Sequence, residues 1–122
     1  MDPPVIFVVD DDASVRDAIR RLLLSLDISV RSYASAEEFL DETQPGTRGC
    51  LILDMRLPGM SGAQLQRHLN KQEWKLPTII VTAHDDDKSK DAALRLGALW
   101  YLLKPFDRRE LLSHVRAAIA QS

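Results

Sequence analysis

Five times along this chain a short strand-like segment, apolar and nearly continuous in all but the second, is followed by a stretch whose apolar residues recur every three or four positions. The first run, Val5-Ile6-Phe7-Val8-Val9, has no polar alternation, which is the pattern of a strand covered on both faces. Behind it, Val15, Ala18, Ile19, Leu22, Leu23 and Leu26 trace one helical face, with Ser14 and Asp17 spaced as a capping box at its start. The pattern repeats with a strand over 28–33 and a short helix opened by Ser35 and Glu38. It repeats again with a strand over 50–53 and a helix bearing Leu65 and Leu69, and with a strand over 77–81 and a helix over 85–96 stopped by Gly97. A strand over 99–103 and a helix capped by Asp107 and Glu110 complete it. Strand–helix alternation with buried strands predicts an α/β fold, a parallel sheet with helices on both faces joined by right-handed crossovers. At 122 residues the chain is one domain, too short for an eight-stranded barrel, so the sheet is open and five-stranded.

Composition narrows the function. Sixteen basic residues against 18 acidic ones give a net charge of -2, so no basic excess exists to neutralise the phosphates of a nucleic acid. The longest apolar stretches, 5–9 and 99–103, are too short to span a bilayer, and the start (Met1, Asp2, Pro3, Pro4) lacks the basic and apolar regions of a signal peptide. A lone cysteine, Cys50, precludes an internal disulfide and reads as a small core residue. Together these features predict a cytoplasmic location and no membrane contact.

In open α/β sheets ligands bind beyond the carboxyl ends of the strands. The first strand delivers Asp10 and Asp11 there, the third Asp54, the fourth Thr82 and the fifth Lys104, followed by Pro105. Carboxylates gathered this closely need a proton or a cation between them. With no His or Cys at ligand spacing, the donors are oxygens, which suit Mg2+, Mn2+ or Ca2+; two or three carboxylates with vacant positions favour Mg2+. Lys104 and Thr82 offer a point charge and a donor for phosphate oxygens, and Asp54 can attack phosphorus to form an acyl phosphate. An EF-hand is excluded, because its final ligand position falls on Arg21 counting from Asp10 and on Leu96 counting from Asp85.

The segments Val9-Asp10-Asp11-Asp12, Leu53-Asp54-Met55-Arg56-Leu57-Pro58-Gly59-Met60-Ser61-Gly62, Val81-Thr82-Ala83 and Lys104-Pro105-Phe106 together resemble the motifs of bacterial response-regulator receiver domains. The likeness runs over essentially the whole chain, 1–122, and the wording around Thr82-Ala83-His84 is most similar to FixJ-like receivers. The resemblance implies a doubly wound (βα)5 sheet of order 2-1-3-4-5, the flavodoxin/CheY-like arrangement. It implies Asp54 as the acceptor of a phosphoryl group from a histidine kinase. Mg2+, with Mn2+ as a substitute, would be held by Asp11, Asp54 and the backbone carbonyl of Arg56, with Asp10 assisting through water. Thr82 and Lys104 would bind phosphoryl oxygens, and Tyr101 matches the switch aromatic. The Lys104-Pro105 peptide is cis in the family. Further expectations are a phosphorylation-dependent homodimer and DNA contact only through an output domain missing from this chain; a stand-alone regulator is the alternative.

The same residues admit other readings. Asp85-Asp86-Asp87 reads as favourable charge at a helix N-terminus. Trp74 reads as loop packing; Trp100 points away from Tyr101 and has no assigned role; His68 and His114 have no evident partners. Arg56 and His84, each two residues beyond a site residue, can overhang the site and tune hydrolysis of the acyl phosphate. An aspartate-nucleophile phosphatase of the haloacid dehalogenase type would carry a second Asp where Arg56 stands. A flavodoxin-type module would need a phosphate loop where Asp10-Asp11-Asp12 stands.

Overall fold

The computed structural model describes residues 3–122; Met1 and Asp2 of the N-terminal segment lie outside them. Five strands, β1 (Val5–Val9), β2 (Ser29–Tyr33), β3 (Gly49–Leu53), β4 (Thr78–Thr82) and β5 (Trp100–Leu103), alternate with α1 (Ala13–Leu23), α2 (Ala36–Glu42), α3 (Gly62–Lys71), α4 (Asp87–Arg95) and α5 (Arg108–Gln121). The strands form one sheet in the order 2-1-3-4-5, and all pairings are parallel. This is the expected doubly wound α/β arrangement.

Strand alternation splits the core into two layers. Phe7, Leu51 and Ile80 face one way and pack with Phe39 of α2, Leu65 of α3 and Ala93 of α4. Ile6, Ile52 and Val81 face the other way, against Ile19 and Leu23 of α1 and Leu111 and Val115 of α5. β1, β3 and β4 are buried at every position, which explains why their sequences do not alternate. β2, at the edge, buries only Tyr33 and is polar.

Several expectations need correction. Asp12, not Ser14, caps α1: its carboxylate accepts from the Ser14 and Val15 amides, and the Ser14 hydroxyl donates to it at 2.6 Å. A carboxylate two residues upstream is the stronger acceptor, so the serine becomes its donor. α1 ends at Leu23 and passes into a 3-10 turn over Leu24–Leu26, so the last residue of the expected stripe lies beyond the helix. α4 starts at Asp87 because Asp86 is the cap and accepts from the Ser89 amide at 2.7 Å; the acidic run does serve a helix N-terminus. Trp74 is core, 5% exposed, stacked on Phe39 with ring centroids 5.7 Å apart, its indole nitrogen donating to the Thr47 carbonyl. His114 does have a partner: it stacks on Trp100 at 4.4 Å. Trp100 and Tyr101 pack on opposite faces, as alternation requires. Cys50 is fully buried.

Candidate functional site

Adjacent strands in register end side by side, and that places the site. Val9 pairs with Leu53, and Leu53 with Ile80, which pairs with Tyr101. Asp10 and Asp54 therefore leave neighbouring strand ends together, flanked by Thr82 and then Lys104. The Asp54 amide continues the ladder by donating to the Val9 carbonyl, and the Lys104 amide donates to the Thr82 carbonyl.

Lys104 Nζ lies 2.8 Å from Asp10 Oδ2 and 3.0 Å from Asp54 Oδ2. Asp10 and Asp54 are both buried, whereas Asp11 is exposed at the rim. One carboxylate oxygen from each of the three lies within 4.8 Å of the others. Burial pushes the Asp10 carboxyl up, against the opposing pull of the Lys104 ammonium and the Asp12 amide. Burial alone would lower Lys104, but its bonds to Asp10 and Asp54 outweigh this and hold it above its ordinary value. The two directions are consistent: Asp10 is the more deeply buried partner, so desolvation dominates there and pairing dominates at the lysine.

The backbone around the acids is held from several sides. The Asp12 amide donates to Asp10 Oδ1, and the Arg16 guanidinium of α1 donates to the Asp10 carbonyl at 2.6 Å. The Arg56 amide donates to Asp54 Oδ1 at 3.1 Å, while the Arg56 side chain is exposed. α3 begins directly against this backbone: the Gly62 amide donates to the Met55 carbonyl, and a Cβ on Gly62 would sit 2.5 Å from the Asp54 carbonyl oxygen. The Ser61–Gln64 capping box fixes that helix start. Its Ser-x-x-Gln spacing was legible in the sequence and was missed, as was the pairing of Arg16 with the loop one turn behind it.

Thr82 is fully buried, and its hydroxyl oxygen has no hydrogen-bond partner among the described residues. An unpartnered buried hydroxyl is costly, and one at the mouth of a charged site marks a place where a ligand oxygen can be received. Tyr101 is half-buried against the α2–α3–α4 core, and its hydroxyl donates to the His84 carbonyl at 2.8 Å. Burial raises its pKa, with the acidic Asp86, Asp85 and Asp54 adding to the effect. Hydrogen bonding to Ser89 lowers the Asp86 carboxyl, and the charge of Arg56 is close enough to add to the lowering. The Lys104-Pro105 peptide is cis. The structure thus brings together Asp10, Asp11, Asp54, Lys104 and the Arg56 amide, with Thr82 at the end of the neighbouring β4 and Tyr101 within β5.

Three carboxylates against one ammonium leave an acidic pocket of oxygen donors, a set that fits a hard divalent cation such as Mg2+. The family model of the response regulator receiver domain matches residues 6–116. The chain belongs to this family. The receiver is 44% identical over 115 residues to the transcriptional regulatory protein TdiR of Thauera aromatica, an alignment covering 94% of this chain and 51% of that one. It is 38% identical over 117 residues to the transcriptional regulatory protein FixJ of Azorhizobium caulinodans, covering 96% and 56% of the two chains. The response regulator StyR superposes with a TM-score of 0.91 at 40% identity, covering 98% of the receiver and 61% of that chain. The receiver spans about half the length of the curated relatives it matches. No helix among its described residues is long and apolar enough to cross a membrane.

Proposed function

We propose that this receiver accepts a phosphoryl group on Asp54 from a histidine kinase and uses it to switch the face formed by α4, β5 and α5. The observation that carries the proposal is the Thr82 hydroxyl, buried and unpartnered at the strand end beside Asp54, opposite an ammonium already shared between Asp54 and Asp10. A carboxylate oxygen of Asp54 attacks phosphorus; the O–P bond forms as the P–N bond of the phosphohistidine breaks, and the histidine nitrogen leaves with the electron pair. Lys104 keeps its contact with Asp10 and transfers its second hydrogen bond to a phosphoryl oxygen. Thr82 donates to another, which satisfies the orphaned hydroxyl. Asp11, Asp54 and the Arg56 carbonyl would hold Mg2+, or Mn2+ in its place, with Asp10 assisting through water. When bound, the metal supplies positive charge against the phosphoryl oxygens.

The switch follows from the same contacts. Drawing the Thr82 hydroxyl toward Asp54 moves the end of β4, and the segment behind it leads to His84, whose carbonyl holds the Tyr101 hydroxyl. Tyr101 already lies inward here, so phosphorylation favours a placement that the unmodified receiver can adopt. Leu94, Leu99 and Leu103 are 41%, 38% and 39% exposed on the α4–β5 side, an apolar surface suited to a second copy. Light scattering of the receiver with a phosphoryl donor and Mg2+ should give a dimer, and without donor a monomer; a monomer in both refutes the dimer. Control of DNA would run through an output domain outside this chain, since longer relatives such as TdiR and FixJ are transcriptional regulatory proteins. Arg56 and His84 flank the site and would govern water access to the acyl phosphate; swapping both to Ala should change the rate of its hydrolysis.

Intact mass after incubation with a small-molecule phosphoryl donor and Mg2+ tests the acceptor. Wild type should gain the mass of one phosphoryl group and Asp54→Asn none. An unchanged wild-type mass, measured under conditions that preserve acyl phosphates, overturns the assignment.

A further inference from the structure

The loop between β3 and α3 is tied down from an unexpected direction. Its near end is held locally: the Arg56 amide bonds Asp54, the Met55 carbonyl receives the Gly62 amide, and Met55 and Leu57 are buried as apolar anchors. Its far end, Pro58 to Met60, is exposed or half-exposed; the Met60 side chain packs partly against the α2–α3–α4 core, but among the described residues no backbone group within the loop bonds this segment. There the carboxylate of Glu37, in the first turn of α2, accepts from the Met60 amide at 3.0 Å across 23 positions of sequence. The fit is close enough that a Cβ on Gly59, whose φ is +75°, would lie 2.4 Å from the same carboxylate oxygen. The Met60 bond is also the chief cause of the lowered pKa of Glu37.

We propose that Glu37 is a positioning residue for the metal site, holding the loop so that the Arg56 carbonyl faces the acidic pocket. This rests on the reading of the site as a Mg2+-dependent phosphoacceptor. The physical reason is leverage. Arg56 sits between two fixed points, its own amide on Asp54 and the Met60 amide on Glu37. The buried Leu57 restrains the peptide after Arg56 as well, and the Glu37 bond removes the freedom left in the exposed segment that follows it. Without the second tie, an exposed Pro-Gly segment samples several orientations, and the carbonyl must be ordered when the cation binds. Glu37 is itself exposed, so replacing it does not disturb the core.

Glu37→Ala and Glu37→Gln separate the two ways this carboxylate could act. The Gln variant keeps an acceptor oxygen for the Met60 amide and discards the charge; the Ala variant discards both. Mg2+ affinity measured by calorimetry should weaken about tenfold in Glu37→Ala, the low end of the range typical of residues that orient a metal ligand, and should return most of the way in Glu37→Gln. Hydrogen exchange of the Met60 amide without Mg2+ should accelerate in Ala and stay slow in Gln. Wild-type affinity in Glu37→Ala, or equal weakening in both variants, overturns the positioning role. Asp54→Asn is the control: if wild type binds no Mg2+, the phosphoacceptor reading fails and this inference with it, whereas Mg2+ binding that is lost in Asp54→Asn but indifferent to Glu37 refutes the inference alone.

Discussion

Lys104 is a single ammonium set between two carboxylates whose side chains are only 3% and 8% exposed. Removing one partner from a buried charge cluster costs more than the pair contributes, because the remaining charges lose their compensation. Lys104→Met should therefore lower the stability of the metal-free receiver by about 3 kcal/mol, read as a fall in the denaturation midpoint, and Mg2+ should restore more stability to the variant than to wild type. An unchanged midpoint would mean that water already compensates the carboxylates. Gly62 is needed for a different reason. Its amide meets the Met55 carbonyl and its Cα faces the Asp54 backbone, so a methyl group there would meet the Asp54 carbonyl oxygen at 2.5 Å. Backbone cannot swing aside as a side chain can, so Gly62→Ala should cost about 1–3 kcal/mol and slow the proposed phosphorylation of Asp54. A denaturant titration and a timed mass measurement check the two effects separately.

Among the elements, α4 is the least firmly seated. It buries only Ala93, whereas α3 buries Gly62, Leu65, Gln66 and Leu69, and α5 buries Leu111, Val115 and Ala118. Its C-terminal end is fastened: Gln66 of α3 donates to the Ala93 carbonyl at 3.1 Å, and Asn70 donates to the Leu96 carbonyl at 3.0 Å. Its N-terminal end relies on the Asp86 cap and leads directly from the segment that carries Thr82 and His84. An element fastened at one end and free at the other moves as a lever, and local opening follows burial. Amide exchange should therefore be fastest in the first half of α4 and slowest in α5. Protection in α4 equal to that in α5 would remove the mechanical basis for the movement proposed for it on phosphorylation.

At the scale of the whole molecule, the sheet makes Cys50 a reporter of global unfolding. It lies in β3, between β1 and β4, and burial pushes its thiol from the ordinary 9.0 up to about 12. An alkylating reagent at pH 8 should leave the folded receiver unlabelled and modify it only through unfolding, since the thiolate is the reactive form. The pH dependence follows in sign. The folded thiol holds its proton more tightly than the unfolded one, so this group's contribution to stability is complete below pH 9 and is lost as pH rises toward about 12. The stability difference between wild type and Cys50→Ala should shift steadily against wild type over that window, as read from denaturation midpoints at successive pH values.

How much of this was legible in the linear chain depends on how far apart the interacting groups are. The apolar runs of β1, β3 and β4, the helical stripe of α5 and the Ser35 and Asp107 caps involve residues one to four positions apart, where backbone periodicity decides the outcome. The line of Asp10, Asp54, Thr82 and Lys104 was legible too, because parallel strands of similar length must end on one rim. Yet even local reading failed where two acceptors competed, as at Asp12 and Ser14. The burial of Trp74 against Phe39, the stacking of His114 on Trp100, the Tyr101 bond to His84 and the grip of Glu37 on Met60 all join residues from separate elements. Sequence order determined the strands, the helices and the rim on which the chemistry gathers. The choice of partner for each of those side chains was made only in the folded molecule, since it depends on distances set when helices pack on the sheet, and no pattern of neighbours in the chain encodes them.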